Sequence, residues 1–179
     1  MLWSTSEGVA MFIGHLPAGY LLTSGLIKLS GTPARAQLMM AGLVGAIAPD
    51  FDLFWCYLID HAQRHHHLYF THWPLLWLVT LAVFLLLGRV TRNNKIAVTG
   101  VVFCLNGIVH LVLDTVVGDV WWLMPFVNQP YALFKVSVLY QPWWLNFFLH
   151  WSFMLELALT GAAVWLWWYK HRQIESTVG

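Results

Sequence analysis

Ionisable side chains interrupt four strongly apolar segments of this chain, and they constrain its fold more than any other feature. The segments read GHLPAG, APDFD, HLYFTH and HLVLD. A titratable group inside a membrane helix costs about 3 kcal/mol, so such groups tend to be paired, lined by water or functional. Together the segments predict one metal site assembled from several helices. Its expected ligands are His15, Asp50, Asp52, His67, His72, His110 and Asp114.

The composition indicates a membrane protein. Of the 179 residues, 59% are hydrophobic and only 9% are charged, whereas a soluble domain averages about 25% charged residues. We therefore expect an all-α, polytopic helical bundle that forms a single integral membrane domain over residues 1–179. The formal net charge of +1 gives no reason to expect nucleic-acid binding.

Five stretches are long and apolar enough to predict about five transmembrane helices, since a span needs about 20 residues. Pro49 should break the second stretch near its end. The long segment between the last two, 118–144, is rich in Trp and Pro, which favours an interfacial or re-entrant outer loop. The five stretches are 8–29, 36–58, 71–88, 96–117 and 145–169.

The basic residues predict the orientation of these helices. If the five helices alternate in direction, seven of the nine Lys and Arg residues lie in or beside the segments that follow the first, third and fifth helices. These segments share one side of the membrane, and loops rich in Lys and Arg stay in the cytoplasm. The N-terminus is then outside and the C-terminus inside. All of the expected ligands then fall on the outer side, in outer helix halves or the outer loop, within about one or two helical turns of a common depth. The seven basic residues are Lys28, Arg35, Arg89, Arg92, Lys95, Lys170 and Arg172.

Each motif has a metal interpretation and a structural one. His110 and Asp114 are four residues apart and share a helical face, which suits two ligands or a hydrogen bond between helices. Asp50 and Asp52 could bridge two ions or sit in a solvated turn. His67 and His72 belong to a His-rich outer loop, where Thr71 could orient a ligand. Weaker candidates are His66, His150, Glu156 and Asp119.

The donor set also predicts the metal. Mixed imidazole and carboxylate ligands suit zinc, manganese or iron better than magnesium or calcium. Seven ligands exceed the needs of one tetrahedral ion. We therefore expect two or three divalent ions, with zinc the first expectation.

The motifs GHLPAG, GAIAPDFDLFW, HHHLYFTHW and HLVLDTVVGDVWWLMPF resemble the LexA-regulated, YdjM-like inner-membrane metal-dependent hydrolases over about residues 12–126. The resemblance implies an inner-membrane location, hydrolysis, and site roles for the seven ligands named above. The chain departs from the family pattern at Leu68 and Tyr69, where the family has Arg-Gly. If that Arg binds an anion, the role is missing here or falls to Arg64. The ligand set also looks like that of zinc-dependent phospholipases C.

These observations predict a hydrolase that acts at the outer membrane face on an amphiphilic substrate, first a phospholipid or polyprenyl phosphoester. An activated water would attack, and Asp52 or Asp114 would accept its proton. Two alternatives use the same residues. One is a divalent-metal transporter or sensor, and the other is a structural protein in which His–Asp pairs join helices.

Overall fold

The computed structural model describes residues 13–30, 34–61, 65–134 and 144–178. The described chain is helical, and its one β-type pairing is an isolated antiparallel bridge between Val120 and Tyr131. The all-α prediction is therefore confirmed. The α-helices are α1 (His15–Ser30), α2 (Arg35–Ile47), α3 (Asp52–Leu58), α4 (Pro74–Val90), α5 (Asn94–Val117), α6 (Trp144–Leu149) and α7 (Trp151–Val178).

Helix α5 is the centre of the bundle, and α1, α2 and α4 pack around it. It begins after Asn93, whose side chain accepts a hydrogen bond from the backbone N–H of Lys95 at 3.1 Å, as helix-capping residues do. Cys104 and Leu111 of α5 are fully buried and form the apolar core with Trp77 and Val120. This helix is the fourth predicted span, and its observed bounds nearly coincide with 96–117.

Two glycines allow α2 to lie very close to α1 and α5. A Cβ atom at Gly45 would lie 2.2 Å from the backbone oxygen of Phe103 on α5, and one at Gly42 would lie 1.9 Å from the Thr23 hydroxyl on α1. Small residues commonly permit such close helix packing in membranes. The result is a tight sandwich of α1, α2 and α5, and one end of it carries the predicted ligands His15, His110 and Asp114.

The second predicted span is broken where Pro49 predicts it. Helix α2 ends at Ile47, a 3₁₀ turn covers Pro49–Phe51, and α3 leaves at 54° to the first half. Proline cannot donate a backbone hydrogen bond and clashes with the preceding helical turn. The break places Asp50 and Asp52 at the bend rather than along one continuous helix.

The prediction of about five spans is wrong for the described helices. One of them, Asn94–Val117, is long and apolar enough to cross a membrane, and the bent pair Arg35–Ile47 with Pro49–Leu58 makes at most a second. Helix α4 is apolar but has only 17 residues, because Phe70–His72 form a separate 3₁₀ turn. Helix α1 has 16 residues.

The fifth predicted span, 145–169, is also interrupted. The chain forms the short α6, bends at His150 and then begins α7. Helix α7 is long, but Glu156 and its Trp residues lower its mean hydropathy. Turns and bends therefore break or shorten apolar stretches that look continuous in the sequence, and the number of candidate spans among the described helices falls.

The segment after α5 folds back onto the end of that helix. Val120 and Tyr131 exchange backbone hydrogen bonds of 3.0 Å, and Leu133 N–H donates to the Thr115 carbonyl at 2.7 Å. Phe126 at the tip is 82% exposed, a pattern that suits the predicted interfacial loop. Positions 135–143 of that predicted loop lie outside the described residues.

Candidate metal centre

Four imidazoles surround the carboxylate of Asp114, which is only 2% exposed. One oxygen, Oδ2, lies 3.0 Å from Nε2 of His110 and 3.6 Å from Nε2 of both His67 and His72. The other oxygen, Oδ1, lies 3.0 Å from Nε2 of His15. The first turn of α1, the end of α5 and the 3₁₀ turns before α4 thus meet at one buried point.

Backbone carbonyls determine which ring nitrogen of two histidines carries the proton. Nδ1 of His110 lies 2.7 Å from the Ala46 carbonyl oxygen, and Nδ1 of His67 lies 2.7 Å from that of Asp119. A carbonyl can only accept, so each Nδ1 must donate. In the neutral rings Nε2 then presents a lone pair to the centre, the form that binds metal ions.

His72 is oriented in the same way by a side chain. Its Nδ1 lies 2.6 Å from Oδ2 of Asp52, and the same oxygen accepts a 2.6 Å hydrogen bond from the Thr71 hydroxyl. A carboxylate behind a metal-binding histidine is a common arrangement, because it holds the ring and raises its basicity. Thr71, expected to orient a ligand, thus bonds the carboxylate that holds the His72 ring.

The polar atoms at the centre fit a divalent cation. Nε2 of His67, His72 and His110 and Oδ2 of Asp114 are all buried without a hydrogen-bond partner. Unsatisfied polar atoms in a low-dielectric interior cost about 1–3 kcal/mol each. With the rings in their neutral forms, the four atoms are all acceptors, and one cation would satisfy all four at once.

Asp50 lies on the open side of this cluster. Its Oδ1 is 3.4 Å from Nε2 of His110 and 3.9 Å from Nε2 of His72, and its side chain is 31% exposed. Three overlapping triads each bring one donor atom per residue within 4.8 Å. They are His15, His110 and Asp114; Asp50, His72 and His110; and His66, His67 and His72.

Two histidines of a 3₁₀ turn before α4, His66 and His67, have lowered pKa values. Burial lowers the pKa of His66 to about 4, and the neighbouring rings of His72 and His65 lower it further. Burial also holds the pKa of His67 well below its ordinary value, although the Asp114 carboxylate opposes this. Neutral imidazole is the form that ligates metals. His66, a weaker sequence candidate, therefore lies within the cluster in a suitable state.

The remaining predicted residues occupy other places. Asp52, expected as a ligand and proton acceptor, faces Nδ1 of His72 rather than the converging Nε2 atoms. Asp119 contributes its backbone oxygen. Nδ1 of His150 lies 2.9 Å from the Ser152 hydroxyl. Glu156 is fully buried and bonds backbone N–H groups before α1. Arg64 lies outside the described residues.

Sequence reasoning missed the two backbone carbonyls, those of Ala46 and Asp119, that orient His110 and His67. Every residue has a carbonyl, so residue type gives no signal for this role. Only the packing of α2 and of the loop after α5 against the histidines reveals it.

Replacement of Asp52 by alanine tests its position behind His72. We expect metal affinity to fall about 10- to 100-fold, the usual effect of losing a carboxylate behind a ligating histidine, while the number of ions bound at saturation stays the same. Titration against a chromophoric chelator measures both quantities. A lower stoichiometry at saturation would instead make Asp52 a direct ligand, as its sequence motif predicts.

Comparison with known proteins is consistent with the membrane assignment. A family model described as YdjM inner membrane protein matches residues 11–174. No curated protein and no solved structure matches the chain.

Proposed function

The chain belongs to the YdjM inner membrane protein family, and we propose that it is a membrane-embedded, metal-dependent hydrolase. Its substrate is an amphiphilic phosphoester, a phospholipid or a polyprenyl phosphate, at the extracytoplasmic face. In this proposal the site faces the extracytoplasmic side of the inner membrane.

The convergence of unpartnered acceptors on Asp114 is the observation that carries this proposal. Nε2 of His67, His72 and His110 lies within 3.6 Å of one carboxylate oxygen, and Nε2 of His15 lies 3.0 Å from the other. A carboxylate can bind one ion through each oxygen. Two divalent ions, with zinc first and manganese or iron next, suit these nitrogen and oxygen donors.

Divalent ions in such a site supply activation of water near neutral pH and stabilisation of negative charge on the attacked group. The protein orients the imidazoles of His110 and His67 through the backbone carbonyls of Ala46 and Asp119. The Asp52 carboxylate orients that of His72. Among the site carboxylates, Asp50 is the more exposed, so we assign it the acceptance of the proton from the attacking water. Asp52 is already engaged with His72 and Thr71, and Asp114 is enclosed by imidazoles.

Two exposed aromatic side chains next to site residues in the chain, and an apolar groove under the loop after α5, support a lipid substrate. Phe51, between the two Asp residues of the bend, is 53% exposed, and Phe70, next to Thr71, is 60% exposed. An open groove of about 230 Å³ lies under the loop after α5. Its lining is almost wholly apolar and suits an acyl or prenyl chain. The lining residues are Val112, Thr115, Trp122, Tyr131 and Leu133.

The arrangement below the site favours hydrolysis over transport. A transporter needs a polar route from the ion site to the opposite face. One turn below His110, Asn106 donates to the Thr23 hydroxyl at 3.1 Å and to the Val102 carbonyl at 2.8 Å. The next side chain on this face, Val102, is buried and apolar.

Elemental analysis of the detergent-purified protein tests the proposal, with wild type compared with His110→Ala and Asp50→Ala. We expect about two zinc, manganese or iron ions per wild-type chain and a loss in both variants. His171→Ala is the matched control, because His171 is exposed and its Nδ1 bonds the Trp167 carbonyl of its own helix at 2.9 Å. Lipid phosphoesters are then assayed with the metal-loaded protein.

Two results would overturn the proposal. A wild-type protein without transition metal after supplementation would leave the His and Asp residues as joints between helices. Metal retained without turnover of any lipid phosphoester would favour the transporter or sensor.

A further inference from the structure

Glu156 of α7 is fully buried, although it takes no part in the cluster around Asp114. Its Oε2 accepts hydrogen bonds from the backbone N–H groups of Ile13, at 2.6 Å, and Gly14, at 3.0 Å. A buried carboxylate in an apolar helix is costly and is usually retained for a partner or a function. Here the partners are 142 and 143 residues away in the chain.

These two N–H groups lie immediately before His15, the first residue of α1. N–H groups at the beginning of a helix have no intrahelical acceptor, and a carboxylate satisfies them with bonds stronger than neutral ones. Few other contacts hold the His15 side chain at the beginning of α1. Its ring stacks on His110, with 3.9 Å between the ring centres. Its Nε2 lies 3.0 Å from Oδ1 of Asp114, and its buried Nδ1 has no hydrogen-bond partner.

We propose that Glu156 is a positioning residue for His15: by fixing the beginning of α1, it holds the His15 imidazole against Oδ1 of Asp114. This inference rests on the proposed metal centre. Helix α7 packs mainly on α1, and none of its described side chains belongs to the clustered donors. Glu156 is therefore the contact through which we infer that α7 acts on the site. Glu156 does not ligate the metal itself.

Three substitutions separate positioning from ligation. Glu156→Gln keeps an acceptor oxygen of the same reach, Glu156→Asp keeps the charge but shortens the side chain, and Glu156→Leu removes the acceptor. Thr160→Val is the matched control, because the Thr160 hydroxyl bonds only a carbonyl of its own helix, that of Glu156, at 2.8 Å. The readouts are metal ions per chain and hydrogen–deuterium exchange of residues 13–20.

We expect the Thr160→Val variant to match wild type and the Gln variant to keep most of the bound metal, because its neutral amide oxygen accepts the same two bonds less strongly. The Leu variant should fall from about two ions to about one and exchange faster at residues 13–20, with the Asp variant between them. Combining Glu156→Leu with His15→Ala should cost no more metal than His15→Ala alone, because both act on the same ligand.

Several results would overturn the inference. One is full metal binding with normal exchange in Glu156→Leu, and another is an additive loss of metal in the double variant. A third is a loss of metal in Glu156→Gln equal to that in Glu156→Leu, which would make the charged carboxylate itself a ligand. If Leu prevents folding, the Asp variant is subject to the same criteria. A metal-free wild type overturns the proposed function instead, and unchanged exchange in the Leu and Asp variants would then reject the anchoring of α1 as well.

Discussion

Replacing Asp114 with asparagine is expected to remove all bound metal and to lower phosphoester turnover at least about a thousandfold, equivalent to about 4 kcal/mol in the barrier. The reason is that both oxygens of Asp114 face imidazole nitrogens, Oδ1 that of His15 and Oδ2 those of three other histidines. An amide nitrogen cannot ligate in place of one of these oxygens. Elemental analysis and lipid phosphoester assays measure the two effects.

The control for this change is Asp119→Asn. Asp119 takes part in the site through its backbone oxygen, which accepts from His67, so its side-chain substitution should preserve both metal and turnover. Full metal occupancy in Asp114→Asn would contradict a shared carboxylate at the centre.

Replacing His15 with alanine should halve the metal content, from about two ions to about one, and reduce turnover about a hundredfold. His15 faces Oδ1 of Asp114, whereas His67, His72 and His110 face Oδ2. Loss of one imidazole should therefore empty one side of the carboxylate and leave the other occupied. Metal analysis at saturating zinc measures the stoichiometry directly.

His110→Ala is the informative comparison for His15→Ala. The His110 ring contacts both Asp114 and Asp50 and belongs to two of the three donor triads, so its removal should affect both ions. Equal losses in the two variants would contradict separate ion positions on the two oxygens of Asp114.

Part of the site follows directly from local sequence. The four-residue spacing of HLVLD places His110 and Asp114 on one helical face, and the structure brings their Nε2 and Oδ2 atoms to 3.0 Å. Proline predicts the break at APDFD, and the structure bends there by 54°. The common depth of the His and Asp residues, inferred from the basic loops, is consistent with their meeting at one point.

Other features depend on helix ends that sequence patterns locate poorly. The third predicted span begins at residue 71, but Thr71 and His72 lie in a 3₁₀ turn and α4 begins at Pro74. Tyr69 and Trp73, which flank this turn, have extended backbone. Such shifts of a few residues turn a predicted span into a shorter helix, and the number of candidate spans falls accordingly.

By itself, the sequence determined that this chain is a helical membrane protein with His and Asp groups concentrated at one end of its helical bundle. Composition, residue spacing and proline specify such features because each depends on residues close together in the chain. Only the tertiary structure decided what each group does. Ala46 and Asp119 direct the His110 and His67 rings through backbone oxygens, and Glu156 reaches the beginning of α1. These contacts join residues 52 to 142 positions apart. They arise from helix packing, and no local pattern of residue types encodes them.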